Sequence, residues 1–282
     1  MISNLPENFE SAPHLKLEPI LYRALLRVTR RHGMFTIARN HVRRHPLGQI
    51  FTPPAGGRMF IPPDPHFIGF LTGLHEEHIT QLLRKVIEPG SLCLDVGANI
   101  GYFSVMMSAL SGSPGCVYAF EPERGNFSIL EGNSKLVNPE AAPIIARKVA
   151  ISDECGLIHL VAGEESTLHQ VTKAPPTESS AIPAIPSISI DSLSDEIGDR
   201  IVTLLKIDVE GHELPAILGA RNLIQSRRIK NIVIEVTPGE DASRLEPLLS
   251  KNARLVRIWE GGRWIERPLS GIQSRTDVWV QF

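Results

Sequence analysis

The sequence lacks several features that mark other classes of protein. Its three cysteines, Cys93, Cys116 and Cys155, are odd in number and show no CxxC spacing, which indicates reduced thiols rather than a disulfide framework. No stretch approaches the roughly 18 consecutive apolar residues of a membrane-spanning helix. Glu7 and Glu10 lie where a secretory signal would carry a basic stretch and an apolar core, so no such signal is expected. These absences predict a cytoplasmic protein.

Acidic residues are missing from one long segment, between Glu18 and Asp64. The segment instead carries eight arginines, which are Arg23, Arg27, Arg30, Arg31, Arg39, Arg43, Arg44 and Arg58. Apolar residues recur beside them at helical spacing, so a basic amphipathic helix is predicted within residues 16–45. Such a helix suits an anionic partner, a membrane surface, an acidic carrier or a second copy in a homo-oligomer. The simpler alternative is a solvated helix that packs on its own domain.

The overall composition is that of an ordinary globular protein. The apolar fraction is 42% and the formal net charge is −2, so nothing in this balance calls for nucleic acid as a partner. A chain of 282 residues has room for one large domain and an extension. We expect a basic, Pro- and Gly-rich extension over residues 1–73, with a short strand at 59–61, and a single domain over residues 74–282.

Predicted strands and helices alternate from residue 74 onward. Strands are predicted at 92–96, 116–120, 144–151, 158–161, 201–207, 231–236, 255–259 and 277–282, and helices at 74–87, 102–110, 126–136, 212–223 and 241–250. A surface loop is predicted over the proline-containing residues 172–189. The alternation predicts an α/β fold with a mostly parallel sheet covered on both faces. Ligands of such sheets bind beyond the carboxyl ends of the strands.

The first motif at a predicted strand end is Asp95-Val96-Gly97-Ala98-Asn99-Ile100-Gly101. Its glycines let the backbone turn sharply and approach a ligand closely. Asn99 stands where a dinucleotide fingerprint has its second glycine, which favours a ligand without phosphates and disfavours NAD. Glu121 ends the next strand, before Pro122, and a carboxylate there can accept hydrogen bonds from both ribose hydroxyls of a nucleoside.

The second motif, over residues 204–213, runs from an apolar strand into a cluster of ionisable side chains. Desolvating unpaired charges costs several kcal/mol, so this cluster indicates the rim of an active site. Lys206 and Asp208 share one face of the strand and are expected to form a buried pair. His212, Glu210 and Asp208 are the candidate catalytic residues, and His212 is favoured as general base because its ordinary pKa lies near neutrality. The alternative for His212 is a first-turn histidine held by helix packing.

Two metal hypotheses are weaker. Asp208, Glu210 and Glu235 offer the oxygen ligands that hard cations prefer, but no dedicated spacing supports a site, so no metal is expected. His75-Glu76-Glu77-His78 lacks the HExxH spacing. We predict that this run is the exposed face of a helix, with Glu77 towards the cofactor end.

The chain resembles the FkbM family of S-adenosylmethionine (SAM) dependent methyltransferases, a branch of the class I Rossmann-like methyltransferases. The matching stretches are residues 95–101, 119–122, 149–153, 189–193 and 205–213, with weaker matches at 218–220 and 234–236. The resemblance implies a seven-stranded, mostly parallel sheet with a C-terminal antiparallel hairpin. It also implies a cofactor site that comprises Asp95, Gly97, Asn99, Gly101, Glu121, Pro122, Ser152, Asp153 and Asp208, with the ribose on Glu121 and the adenine near Ser152 and Asp153.

The expected function is methylation of a hydroxyl group on a small molecule, such as a sugar or a secondary metabolite, with S-adenosylhomocysteine as the second product. An alcohol is a poor nucleophile until its proton leaves, so a positioned base is expected. Methylation of nitrogen on the same fold is the first alternative. A SAM-binding protein without catalysis is the second, and the charged cluster argues against it.

Overall fold

The computed structural model describes residues 48–64, 67–71, 73–162, 169–172 and 184–282. The basic helix predicted within residues 16–45 lies outside these residues, so its helical structure, its partners and its role in a homo-oligomer stay predictions. Within the described ranges, no helix combines the length and the apolar character needed to cross a membrane.

The elements follow the predicted alternation. The strands are β1 (Gln49–Phe51), β2 (Met59–Ile61), β3 (Leu92–Val96), β4 (Cys116–Phe120), β5 (Ile144–Arg147), β6 (Ala150–Ile151), β7 (Gly156–Ala162), β8 (His169–Thr172), β9 (Ala184–Ile188), β10 (Val202–Ile207), β11 (Asn231–Val236), β12 (Leu255–Glu260), β13 (Arg263–Glu266) and β14 (Thr276–Gln281). The α-helices are α1 (Ile68–Leu71), α2 (Glu77–Val86), α3 (Tyr102–Ser111), α4 (Arg124–Lys135), α5 (Ser194–Ile197), α6 (Glu213–Leu218), α7 (Arg221–Gln225) and α8 (Glu240–Ser250).

The main sheet has the order β13-β12-β14-β11-β10-β3-β4-β5. Strands β5, β4, β3, β10 and β11 are parallel, and β14 is antiparallel to both β11 and β12. The seven predicted strands are therefore present, with their reversed C-terminal pair, and β13 adds an eighth strand at the edge. From β3 the chain moves outward to β4 and β5 and later returns to β10 on the other side of β3. This reversal of strand order, between β3 and β10, is where such sheets bind ligands.

Two apolar clusters cover the faces of the sheet. Cys93 of β3 packs with helices α2, α3 and α4, whereas Leu92 and Leu94 of the same strand pack with α6, α7 and α8. Successive strand residues point to opposite faces, so a strand that is apolar at every position serves both clusters. Strands β1 and β2 join the first cluster, and the Asn133 side chain of α4 bonds both backbone groups of Phe60. The division at residue 73 stays a prediction.

Three predicted elements are wrong in extent. The strand predicted at 144–151 is two strands, because β6 leaves the main sheet and pairs with β9 in a four-stranded sheet of order β6-β9-β7-β8. Strand β9 lies inside the predicted loop 172–189 and contains Pro186, which lies beyond the Ser187 and Ile188 positions that pair with β6. The helix predicted at 212–223 is divided into α6 and α7 at Gly219, where an added Cβ would lie 2.0 Å from the Ser152 carbonyl oxygen.

Candidate functional site

A cavity of about 270 Å³ opens at the carboxyl ends of β3, β4, β10 and β11. The turn after β3, the end of β4 and the turn after β10 line one side of it. The opposite side is formed by aromatic residues and by the segment that precedes α2. The cavity therefore lies at the reversal point of the sheet, as the sequence predicts.

The turn after β3 is held against the end of β10. Gly97 has a φ of 77°, and an added Cβ would lie 1.8 Å from the Asp208 carbonyl oxygen, so only glycine fits this contact. The Asp208 backbone N–H donates to the Val96 carbonyl, which fixes the two strand ends at the same height. Asn99 adopts a φ of 52° in the left-handed region, and its side chain accepts the N–H of Ile100. This geometry turns the backbone of residues 97–99 towards the cavity.

Glu121 lies beside this turn and is only 6% exposed. Its Oε2 accepts the Asn99 N–H at 2.9 Å, and its Oε1 accepts the Glu123 N–H at 2.9 Å. Burial raises the pKa of Glu121 to about 7, although these two hydrogen bonds act in the opposite direction. Each carboxylate oxygen keeps a further lone pair, so Glu121 can accept hydrogen bonds from ligand hydroxyls. Pro122, next along the chain, also lines the cavity.

Asp95 and Gly101 support the turn and do not line the cavity. Asp95 is buried, and its Oδ2 accepts the Ser104 hydroxyl at 2.5 Å. Its Oδ1 accepts no hydrogen bond from the part of the chain that the structure describes. Burial raises the pKa of Asp95. Gly101 begins α3 at a φ of 92°.

Lys206 and Asp208 form the predicted ion pair at the floor of the cavity. The Nζ of Lys206 lies 3.0 Å from Oδ2 of Asp208 and 4.8 Å from the ring centre of Phe103. Burial acts to raise the pKa of Asp208, but the charge and hydrogen bond of Lys206, aided by Arg275, hold that pKa below its ordinary value. Asp208 therefore stays ionised and paired, which makes it a weak proton acceptor.

Three carboxylates of the cavity are paired with two cations. Asp208 is paired with Lys206, and Glu210 and Glu235 are both paired with Arg275. An oxygen of each of Asp208, Glu210 and Glu235 lies within 4.8 Å of the others, which is a donor set for a divalent cation. Arg275 already binds two of the three groups, since its Nη2 lies 2.7 Å from Oε2 of Glu210 and also contacts Glu235. Burial raises the pKa of Glu235 to about 7. The guanidinium supplies the positive charge that a metal would bring.

The structure does not bring His212 to the cavity, which corrects its interpretation as the residue best placed to act as general base. His212 is 5% exposed and occupies the N-cap position of α6. Its Nε2 lies 3.0 Å from the Ser152 hydroxyl, which in turn donates to Asp153 at 2.9 Å. Ser152 and Asp153 therefore belong to a separate polar cluster, and the wall of the cavity is formed by Val149, Ala150 and Ile151.

Sequence reasoning missed several residues that line the cavity, among them His75 and Glu76. His75 and Glu76 were predicted on an exposed helix face, but α2 begins only at Glu77 and both side chains line the cavity. The left-handed backbone of Glu76, with φ 42° and ψ 54°, stops the helix from extending backward. The spacing of the apolar residues could have indicated the later start of α2, because the buried residues of the helix begin at Ile79.

The fold is that of a class I methyltransferase, with a mostly parallel sheet and a reversed C-terminal strand pair. The chain belongs to the Methyltransferase FkbM domain family, whose profile matches residues 95–255. The predicted family is thereby confirmed.

The chain is also similar to individual proteins. Hexuronic acid methyltransferase AglP of Haloferax volcanii is 30% identical over 180 residues, which cover 62% of this chain and 68% of that protein. The solved FkbM methyltransferase of Methylobacillus flagellatus KT is 16% identical, with a TM-score of 0.42 over 77% of this chain, and the match spans about half (52%) of that chain. A solved SAM-dependent O-methyltransferase of Thermotoga maritima is 12% identical, with a TM-score of 0.44, over 83% of this chain and 77% of that chain.

Proposed function

We propose that the protein uses SAM to methylate a hydroxyl group of a sugar or a chemically similar small molecule. The observation that carries the proposal is a single cavity that joins the glycine turn and Glu121 to the charged end of β10. A nucleoside cofactor and a polar acceptor would then lie side by side. The name of the AglP relative supports a sugar acceptor, because that protein acts on a hexuronic acid.

The residues present fit SAM. The turn at residues 97–99 lets a ligand approach the backbone, and Glu121 keeps acceptor capacity for ribose hydroxyls. When bound, SAM would supply an electrophilic methyl group on its sulfur.

The protein's own contribution is then to bind, orient and deprotonate the acceptor. Orientation of an acceptor oxygen for in-line attack contributes up to about 7–11 kcal/mol. A positioned base adds about two to four orders of magnitude in rate. Asp208 and Glu210 are poor choices for this base, because each carboxylate is already paired with a cation.

Calorimetry with SAM, S-adenosylhomocysteine and NAD tests the cofactor assignment. We expect binding of both sulfur compounds and none of NAD. The acceptor class is tested by incubating the protein and SAM with a panel of methyl hexopyranosides, methyl hexuronosides and aminosugars, with mass spectrometry of the products. A gain of one methyl group on oxygen supports the proposal. A folded protein that fails to bind SAM overturns the cofactor, and methylation only of the amines overturns the hydroxyl.

A further inference from the structure

We propose that His75 is the general base that accepts the proton of the acceptor hydroxyl, and that Glu76 is the positioning residue that holds its imidazole. This inference rests on the proposed function. Among the histidines whose side chains the structure describes, His75 is the one that lines the cavity. His78, the next along the chain, lies 2.6 Å from Asp277 and stacks on Trp259, outside the cavity lining.

The backbone of Glu76 is shaped for this role. Its φ of 42° and ψ of 54° are uncommon for a residue with a side chain, and such conformations cluster at functional sites. The Glu76 carbonyl accepts the N–H groups of Ile79 and Thr80, so the backbone caps α2. The side chain makes no capping hydrogen bond. Its Oε1 instead lies 3.3 Å from Nε2 of His75.

Aromatic rings fix the orientation of the imidazole. Phe70 contacts His75 edge to face with ring centres 4.5 Å apart, and Tyr102 does so at 5.6 Å. Phe103 lies 6.0 Å away on the same wall of the cavity. Oε1 of Glu76 lies beside Nε2, so the proposal assigns Nδ1 as the nitrogen that accepts the proton. A base must be held in place before its pKa matters, and this ring is held on several sides.

The electrostatic surroundings keep the imidazole neutral and leave the ionisation of Glu76 to decide the charge of the pair. Burial, and then the charge of Lys206, lower the pKa of His75 to about 4, although Asp208 and Asp277 act to raise it and His78 adds to the lowering. Burial raises the pKa of Glu76 to about 8, with Asp208, Asp277 and Glu235 acting in the same direction and Lys206 against it. Between these limits the imidazole is neutral and the Glu76 carboxyl keeps its proton. Above about pH 8 the pair is a carboxylate beside a neutral imidazole, and it can accept a proton.

In the proposed step, the hydroxyl proton passes to Nδ1 of His75 while the acceptor oxygen forms its bond to the methyl carbon. The electron pair of the broken carbon–sulfur bond stays on sulfur, which becomes a neutral thioether. The Glu76 carboxylate accepts the Nε2–H bond of the imidazolium and stabilises it. The proton then leaves to water after the product departs.

The test compares His75→Gln, Glu76→Gln and the parent protein, with His212→Gln as the matched histidine variant outside the cavity. With a hexopyranoside or hexuronoside that the parent methylates, His75→Gln should lower kcat about 100- to 10,000-fold without weakening SAM binding. Imidazole added to His75→Ala should restore part of the rate. For the parent, kcat should rise with pH through about 8, and Glu76→Gln should remove that inflection.

A nuclear magnetic resonance titration of ¹⁵N-histidine-labelled protein tests the pair without any acceptor. We expect the His75 ring signals of the parent to shift near pH 8, and that shift to vanish in Glu76→Gln. A His75 ring that titrates alone near the ordinary histidine pKa of about 6.5 in both proteins overturns the pair. Full turnover in His75→Gln overturns the base. Failure of the parent to bind SAM or to methylate any of the sugars instead counts against the proposed function, and the titration still decides the pair.

Discussion

Two regions present acidic and histidine side chains to the same end of the sheet, and their chemistry differs. In the turn after β10, Asp208 is paired with Lys206 at 3.0 Å and Glu210 with Arg275 at 2.7 Å. In the segment before α2, His75 and Glu76 face each other, and burial is the largest influence on both pKa values. A dense cluster of charges thus need not transfer protons, because a carboxylate that is paired with a cation is a poor acceptor of a further proton.

The largest effect on stability is expected from breaking the paired region. Lys206→Met leaves Asp208 without its cation in a cavity wall. Because the Asp208 side chain is 31% exposed, the loss should fall below the roughly 3–5 kcal/mol of a fully buried pair. The free energy of unfolding in urea measures this loss. The double variant Lys206→Met/Asp208→Asn is the control, since it removes both charges and should recover most of the stability. Equal losses in the single and double variants would contradict the assigned pairing.

The next effect concerns the cofactor end, which both regions adjoin. Glu121→Ala removes a carboxylate that would accept hydrogen bonds from ribose hydroxyls. Bonds to charged groups are each worth about 1.5–3 kcal/mol, so SAM affinity should fall roughly 100-fold. Calorimetry at fixed pH measures the change, and Asn126→Ala, at another residue of the same wall, is a comparison for general damage to the cavity. Unchanged affinity in Glu121→Ala would remove the ribose assignment.

The same carboxylate predicts a pH dependence of cofactor binding. The pKa of Glu121 is raised to about 7, so below that pH the protonated form prevails and loses acceptor capacity. SAM affinity should therefore rise with pH through about 7, and Glu121→Gln should bind weakly with little dependence on pH. The sign for stability is the reverse. A raised folded-state pKa stabilises the protein at low pH, and this contribution is lost as pH rises towards 7. Urea unfolding at several pH values, with and without Glu121→Gln, separates the two trends.

Much of the fold was predictable because its signals are local. The apolar run of β3, the glycines of residues 97–101 and Glu121 at the end of β4 each follow from a few neighbouring residues. The function of the histidines was not predictable in this way. His212 turns towards Ser152, which lies 60 residues earlier in the chain. Glu76 has a left-handed backbone, which prevents α2 from beginning earlier in the chain. No neighbouring glycine or asparagine indicates this conformation in the sequence.

Arg275 shows the same limit. Arg275 precedes β14, yet it binds Glu210, which follows β10, and Glu235, which lies in β11. The Arg275–Glu235 contact joins residues 40 positions apart in the chain. Four charged residues at strand ends line the cavity, which are Glu121, Asp208, Glu210 and Glu235, whereas Asp153 and His212 do not. Which of them pair, and which keep proton-accepting capacity, depends on side-chain contacts between distant segments. Sequence patterns therefore located the site more reliably than they assigned roles within it.

The smallest effect is expected from His212→Gln, and it separates the two regions most directly. The Nε2 of His212 lies 3.0 Å from the Ser152 hydroxyl, away from the cavity lining, so losing this contact should cost about 1 kcal/mol of stability. A loss of 1 kcal/mol corresponds to a factor of about five in a rate or a binding constant. Turnover and SAM affinity should each change by less than this factor. If His212→Gln lost 100-fold or more in kcat with SAM binding intact, and His75→Gln stayed active, His212 would be the general base instead of His75. The comparison is sharp because both substitutions replace a histidine by the same amide at the same end of the sheet.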